Sequence, residues 1–138
     1  MRHPYVTGYS KHQLRGENLA YAQGLFLTLG GLWPLLHMPS FEALAGNLHD
    51  EWLVRTVAAV LLLLGGLLLN DAFFRGHIAR TLRIIAGGVA LILGVVALIG
   101  GFTSHLAWVY VPVGLIHWGF TAGWIWAGRR VLAPSMAH

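Results

Sequence analysis

Four long apolar stretches constrain this chain more than any other feature of its sequence. They cover residues 19–38, 52–69, 84–102 and 106–127, and none has a charged residue at its centre. A helix needs about 20 apolar residues to cross the hydrocarbon core of a bilayer. Because the apolar residues are continuous rather than alternating, they predict helices and not barrel strands. We therefore predict an all-α integral membrane protein, a four transmembrane helix bundle formed by a single domain.

The composition excludes an ordinary water-soluble protein. Only 10% of the 138 residues are charged and 57% are hydrophobic, whereas soluble domains contain about 25% charged residues. Since the chain has no cysteine, a disulfide framework, a thiolate metal site and a cysteine nucleophile are excluded. The basic residues lie in short segments between the apolar stretches, so they do not form the basic stripe of a nucleic-acid-binding domain. We expect the lipid bilayer, and not nucleic acid, as the partner.

The distribution of charge predicts the orientation of the chain. Eight basic residues lie before the first stretch, between the second and third, and after the fourth: Arg2, Lys11, Arg15, Arg75, Arg80, Arg83, Arg129 and Arg130. The opposite side carries Glu42, Asp50 and Glu51, with Arg55 as its nearby cation. Because basic residues mark the cytoplasmic face, both termini are expected there, as an arm (residues 1–17) and a tail (128–138) on the bacterial inner membrane.

Small residues recur at helical spacing on the last two stretches. Ala86, Ala90 and Gly94 repeat every four residues, and Gly119 and Gly123 form a second such pair. Stripes of this kind let helix backbones approach closely in lipid, where van der Waals contact replaces the hydrophobic effect. They predict either packing within this bundle or a docking surface for a helix of another protein.

His117 is the candidate for binding chemistry. It lies near the centre of the fourth stretch, and ionisable residues at that depth are functional candidates. Gly114, one turn away, leaves room for a flat macrocycle, and Trp118 follows directly. Light-harvesting helices have a similar local arrangement of a histidine followed by tryptophans. We therefore consider His117 as an axial ligand of (bacterio)chlorophyll or haem; the alternative is a neutral imidazole that is hydrogen-bonded to a neighbouring helix.

Signatures of catalysis and of coupled transport are missing from the sequence. It contains no G-x-S-x-G, no H-E-x-x-H and no phosphate-binding glycine loop, so we do not expect an enzyme. No acidic or basic residue lies at mid-depth, where coupled transporters carry them. Three histidines near the non-cytoplasmic face, His37, His49 and His105, are far apart in sequence, and we predict no metal site there.

The first half of the chain resembles a known group of proteins. It contains Gly31-Leu32-Trp33-Pro34-Leu35-Leu36-His37, then Ser40-Phe41-Glu42, then Trp52-Leu53-Val54-Arg55-Thr56. This pattern is similar to an uncharacterised family of small four-span bacterial membrane proteins with a G-L-W-P-L-L-H…S-F-E…W-L-V segment. The resemblance implies a bacterial origin and a four-span fold, and it implies no activity.

Together these features favour a non-catalytic accessory subunit of a larger bacterial membrane complex, photosynthetic (reaction centre or light-harvesting) or respiratory. Other integral membrane subunits are the expected partners. We expect the N-terminal arm to dock onto a neighbouring subunit through Arg2, Lys11 and Arg15. Two alternatives stay open: a pigment- or haem-binding subunit that uses His117, and a small transporter or channel.

Overall fold

The computed structural model describes residues 11–46, 50–75, 80–103 and 106–129, and the elements in these ranges are all helical. The four long helices are α1 (Lys11–Leu36), α3 (Glu51–Asn70), α4 (Arg80–Thr103) and α5 (Ala107–Arg129). A short helix, α2 (Met38–Ala45), follows α1, and a π-helical segment (Asp71–Arg75) follows α3. The prediction of an all-α protein is confirmed for the described residues.

Three helical stretches in the described residues are long and apolar enough to cross a membrane: Gly16–Leu36, Glu51–Phe74 and Arg80–Thr103. To this extent a multi-pass membrane protein is confirmed. The helix α5 is not among the three, although it has 23 residues. Its sequence contains four Trp and four Gly, together with Tyr110, Pro112 and His117, and these residues lower its mean hydropathy. The fourth span stays a prediction.

The helix ends differ from the predicted spans. Residues 11–17, predicted as part of the N-terminal arm, belong to α1, and this helix ends at Leu36 rather than at Met38. The helix α2 occupies a segment that was predicted as the end of the first span and an outer loop. Apolar length locates the part of a helix that fits the hydrocarbon core, and it does not detect turns of helix outside that core.

The long helices form two antiparallel pairs, α1 with α3 and α4 with α5, and α1 also packs against α5. Leu19 of α1 lies against Gly123 of α5, whereas Gly31 lies against Ala58 of α3 at the far end of α1. We call the end where α1 and α4 begin, and where α3 and α5 end, the base. The helix α2 lies at the opposite end.

Glycines bring the backbones of α1 and α3 into contact. A Cβ atom added at Gly31 would lie 2.5 Å from the carbonyl oxygen of Ala58, and one added at Gly65 would lie 2.7 Å from the carbonyl oxygen of Gly24. No side chain fits at such distances. Since leaving lipid for a protein surface brings no hydrophobic gain, close backbone packing is a principal attraction between membrane helices. The pair depends on these glycines.

The small residues of α4 face α5. The buried positions of α4 are Ala86, Ala90, Gly94, Ala97 and Gly101. A Cβ atom added at Gly94 would lie 2.5 Å from Cδ1 of Trp118. The predicted stripe of Ala86, Ala90 and Gly94 therefore lies at an interface inside the bundle, which leaves it unavailable to a helix of another protein.

One core near the base joins the two pairs. Its buried members come from all four long helices: Ala20, Leu27, Leu64, Leu68, Ala86 and Trp124. Because α1 contributes to this core and also contacts α3 and α5, it is the central helix of the assembly.

Hydrogen bonds fix α2 to the ends of α1 and α5. The backbone N–H of Ser40 donates to Nδ1 of His37, which precedes α2, and the indole Nε1 of Trp33 donates to the Ser40 hydroxyl (2.8 Å). The Tyr110 hydroxyl of α5 donates to the carbonyl oxygen of Ala45 (2.6 Å). The helix ends at Ala45, and the residue that follows it, Gly46, has a φ of 94°, which favours glycine.

Replacing Gly31 with alanine tests the close contact of α1 with α3. We expect the free energy of unfolding to fall by about 1–3 kcal/mol, because the added methyl group meets backbone atoms and overpacks the interface. The matched control is Gly30→Ala, where nothing lies within 4 Å of the added Cβ. Unfolding of both purified variants in detergent, followed by circular dichroism, measures the difference, and equal stability would contradict the contact.

Candidate functional site: the buried polar side chains of α1 and α5

Gln23 of α1 is a polar side chain in the interior of the bundle, near the base, and it is 1% exposed. Its amide nitrogen donates a hydrogen bond to the carbonyl oxygen of Ala86 in α4 (2.9 Å). Its amide oxygen accepts a hydrogen bond from Nε1 of Trp124 in α5. This one side chain therefore links three helices and both antiparallel pairs.

The two hydrogen bonds satisfy polar atoms that water cannot reach. A buried polar group without a partner costs about 1–3 kcal/mol, and hydrocarbon offers no partner. The indole N–H of Trp124, which is itself buried, would be unpaired without Gln23. The contact thus fixes the position of α1 relative to α5 as well as the orientation of the Trp124 ring.

Gln23 is not among the site residues predicted from the sequence, because the candidates inside the apolar stretches are ionisable residues and an amide does not ionise. A signal was present, since Gln23 is an uncharged polar residue in the first half of the stretch 19–38. Its partner was not visible in the sequence, because Trp124 lies 101 positions further along the chain.

His117 also lies inside the bundle, on the side of α5 that faces α1. It is 5% exposed, and its ring packs edge-to-face against Phe26 of α1, with centroids 5.3 Å apart. Its Nδ1 atom is buried and has no hydrogen-bond partner among the described residues. The Thr121 hydroxyl donates to the backbone carbonyl of His117 rather than to its ring. The alternative prediction for His117 is a hydrogen bond to a neighbouring helix. Its Nδ1 atom makes no such bond to the described residues.

The space predicted for a macrocycle beside Gly114 is occupied by α4. A Cβ atom added at Gly114 would lie 2.9 Å from Cγ of Leu98. Trp118 is 46% exposed and its ring lies over Gly94 of α4. A pigment or haem bound to His117 would have to displace Leu98 or Phe26. The ligand role of His117, Gly114 and Trp118 stays a prediction.

The predicted docking residues have different surroundings. Arg2 lies outside the described residues, and Lys11 and Arg15 lie in the first turns of α1 at the base, where their side chains are not described.

The predicted pair of small residues on α5, Gly119 and Gly123, is divided between two surfaces. A Cβ added at Gly123 would lie 3.0 Å from Leu19 of α1, whereas nothing lies within 4 Å at Gly119, which faces outward.

Polar side chains at the α2 end are used in local structure. The Asp50 carboxylate accepts a hydrogen bond from the Leu53 N–H at the start of α3 (3.0 Å), and Arg55 pairs with Glu51 (3.4 Å). His49 and His105 lie outside the described residues. Within the ranges that the structure describes, no group of three or more His, Cys, Asp or Glu could hold a metal ion.

Comparisons with known proteins give no assignment: no family model, no curated protein and no solved structure matches this chain. The resemblance of the first half of the chain to a four-span bacterial family therefore stays a prediction.

A double-mutant cycle tests the link between Gln23 and Trp124. We expect Gln23→Leu and Trp124→Phe to be coupled by about 0.6–1.7 kcal/mol, which are the average and the maximum for hydrogen bonds between membrane helices. The control cycle combines Gln23→Leu with Trp118→Phe on the same helix, which we expect to be additive within about 0.5 kcal/mol. Unfolding in detergent measures both cycles. Additivity in the first cycle would mean that the hydrogen bond is not formed.

Proposed function

We propose that this chain is a non-catalytic accessory subunit of a larger bacterial membrane complex, photosynthetic or respiratory, in the inner membrane. In this proposal the chain crosses the bilayer four times and both termini are cytoplasmic. Its work is to pack against other integral membrane subunits. Two observations support the proposal. Gln23 and Trp124 serve to join helices, and the outward faces of the helices present apolar side chains and uncovered glycines.

Support for the fourth span comes from the α4–α5 pair. The helix α5 packs antiparallel to α4 along most of its length, from Tyr110 near Gly101 to Trp124 near Gly87. A helix that packs side by side with a membrane-spanning helix over this length lies at the same depth in the bilayer. The outward residues Leu115, Ile116 and Ile125 are apolar and exposed, as lipid contact requires.

Single cysteines test the topology, because the chain has no native cysteine. We expect Thr81→Cys and Ser135→Cys to react with a membrane-impermeant thiol reagent from the same side of inside-out vesicles, and Ala43→Cys from the opposite side. Thr81 and Ala43 are both exposed. If α5 does not cross the bilayer, Ser135→Cys reacts together with Ala43→Cys, and the four-span proposal is wrong.

The observation that carries the accessory role is the outward surface of α5 around Gly119. Gly119 is exposed and has nothing within 4 Å of an added Cβ, and Leu115 and Trp118 beside it are exposed as well. A glycine between large apolar side chains gives an approaching helix access to the backbone of α5. By contrast, Ala86, Ala90 and Gly94 of the partner helix α4 are already buried within the bundle.

Size in mild detergent tests the accessory role. We expect the protein from its native membrane to migrate as a large species, and Gly119→Leu to shift it to a small one, because the added side chain blocks helix approach. Gly66→Leu on α3 is the matched control, since Gly66 is also exposed with nothing within 4 Å. A small species for the unaltered protein would contradict the proposal.

The same measurement of size in mild detergent tests the predicted docking residues of the N-terminal arm. Replacing Arg2, Lys11 and Arg15 with glutamine should also weaken the association, whereas Arg55→Gln at the opposite end should not. The five remaining basic residues on the arm's side keep the orientation of the chain. The absorbance spectrum of the large species shows whether the complex contains pigment or haem.

A further inference from the structure

A groove of about 490 Å³ runs between α4 and α5 and opens to the surface. It begins at Arg80 and Arg83 at the base and reaches Leu91. Trp124, which is buried, and Gly87 lie together at its floor. Since Gln23 holds the indole of Trp124 from the far side, the floor is fixed by the interior of the bundle.

Among the described residues, the charged side chains that line the groove are Arg80 and Arg83, and both lie at one end of it. Arg80 and Arg83 occupy the first turn of α4, which contains no acidic residue. In the part of the chain that the structure describes, neither forms an ion pair, and the buried Nε of Arg83 has no hydrogen-bond acceptor. Cations are unfavourable at a helix N-terminus, where the helix dipole is positive. A bound anion would offset both charges.

The other described residues that line the groove are apolar except for Thr121, whose hydroxyl is hydrogen-bonded to the backbone of its own helix, and the groove has the length of one lipid leaflet. Arg80 and Leu91 are 11 residues apart (91 minus 80), which corresponds to roughly 16 Å along a helix with a rise of about 1.5 Å per residue. Half of the hydrocarbon core of a bilayer measures about 15 Å. The groove thus extends from the level of the lipid headgroups to the middle of the membrane.

We propose that this groove binds one anionic phospholipid, with its phosphate between Arg80 and Arg83 and an acyl chain along α4 and α5. Arginine pairs with phosphate through charge-assisted hydrogen bonds, and the apolar half of the groove fits a hydrocarbon chain. Gly88 and Gly128 keep it open, because nothing lies within 4 Å of a Cβ added at either residue. The proposal requires that α4 spans the membrane, and it does not require the accessory role.

Lipid titration of the delipidated full-length protein in detergent, followed by native mass spectrometry, tests the proposal. The probes are phosphatidylglycerol and phosphatidylcholine with identical acyl chains. We expect one phosphatidylglycerol to bind about tenfold more tightly than phosphatidylcholine. Both lipids carry a phosphate, but the choline cation of phosphatidylcholine cancels its net charge and is repelled by the two arginines. The double variant Arg80→Gln, Arg83→Gln should remove this preference, and Gly88→Leu should reduce the binding of both lipids.

Matched controls are Arg55→Gln for the charge and Gly66→Leu for the added side chain, and both should bind as the unaltered protein does. The arginine and glycine variants are independent, so if one fails to fold, the other decides. Equal binding of the two lipids, or unchanged binding by Gly88→Leu, overturns the proposal. If inorganic phosphate displaces phosphatidylglycerol, the groove is a site for anions in general. If the protein forms a dimer that Gly88→Leu abolishes, the groove binds a second copy of the chain. Either result overturns the lipid assignment.

Discussion

The hydrogen bonds of Gln23 are the interaction on which the arrangement of the bundle depends. Apolar surfaces of two helix pairs gain little from each other in lipid, since lipid chains make equivalent contacts. Polar atoms are different, because hydrocarbon cannot replace a lost partner. By joining Ala86 of α4 and Trp124 of α5 to α1, Gln23 makes one relative position of the pairs more favourable than the others.

Some glycines are covered inside the bundle and others are uncovered at its surface. The covered ones have a structural role, and the proposed binding sites lie at uncovered ones. Gly31 and Gly65 permit backbone contact between α1 and α3, and Gly94 receives the Trp118 ring. Gly88 and Gly119 have no neighbour within 4 Å of an added Cβ. The covered glycines account for the fold, whereas the uncovered ones are the places where another helix or a lipid can approach.

Four buried side-chain atoms have no hydrogen-bond partner in the described residues, and two of them, Nδ1 of His117 and Nε of Arg83, lead to different conclusions. The imidazole is enclosed by Phe26 and its own helix, with Leu98 filling the space beside Gly114, so a ligand reaches it only if the packing changes. Arg83 lines an open groove that has a cationic end and an apolar end. We therefore expect a ligand in the groove at Arg83 rather than at His117.

The sequence by itself determined the helical class and the apolar helices, because a continuous run of about 20 apolar residues has few stable forms other than a helix in a membrane. It also located small residues that pack. It did not reveal α2, which lies outside the apolar stretches except for its first residue, or the partners of Gln23, which come from helices distant in the chain. Only the tertiary structure decided that Ala86, Ala90 and Gly94 face inward while Gly119 faces outward, because a helical stripe specifies a face and the neighbouring helices decide what covers it.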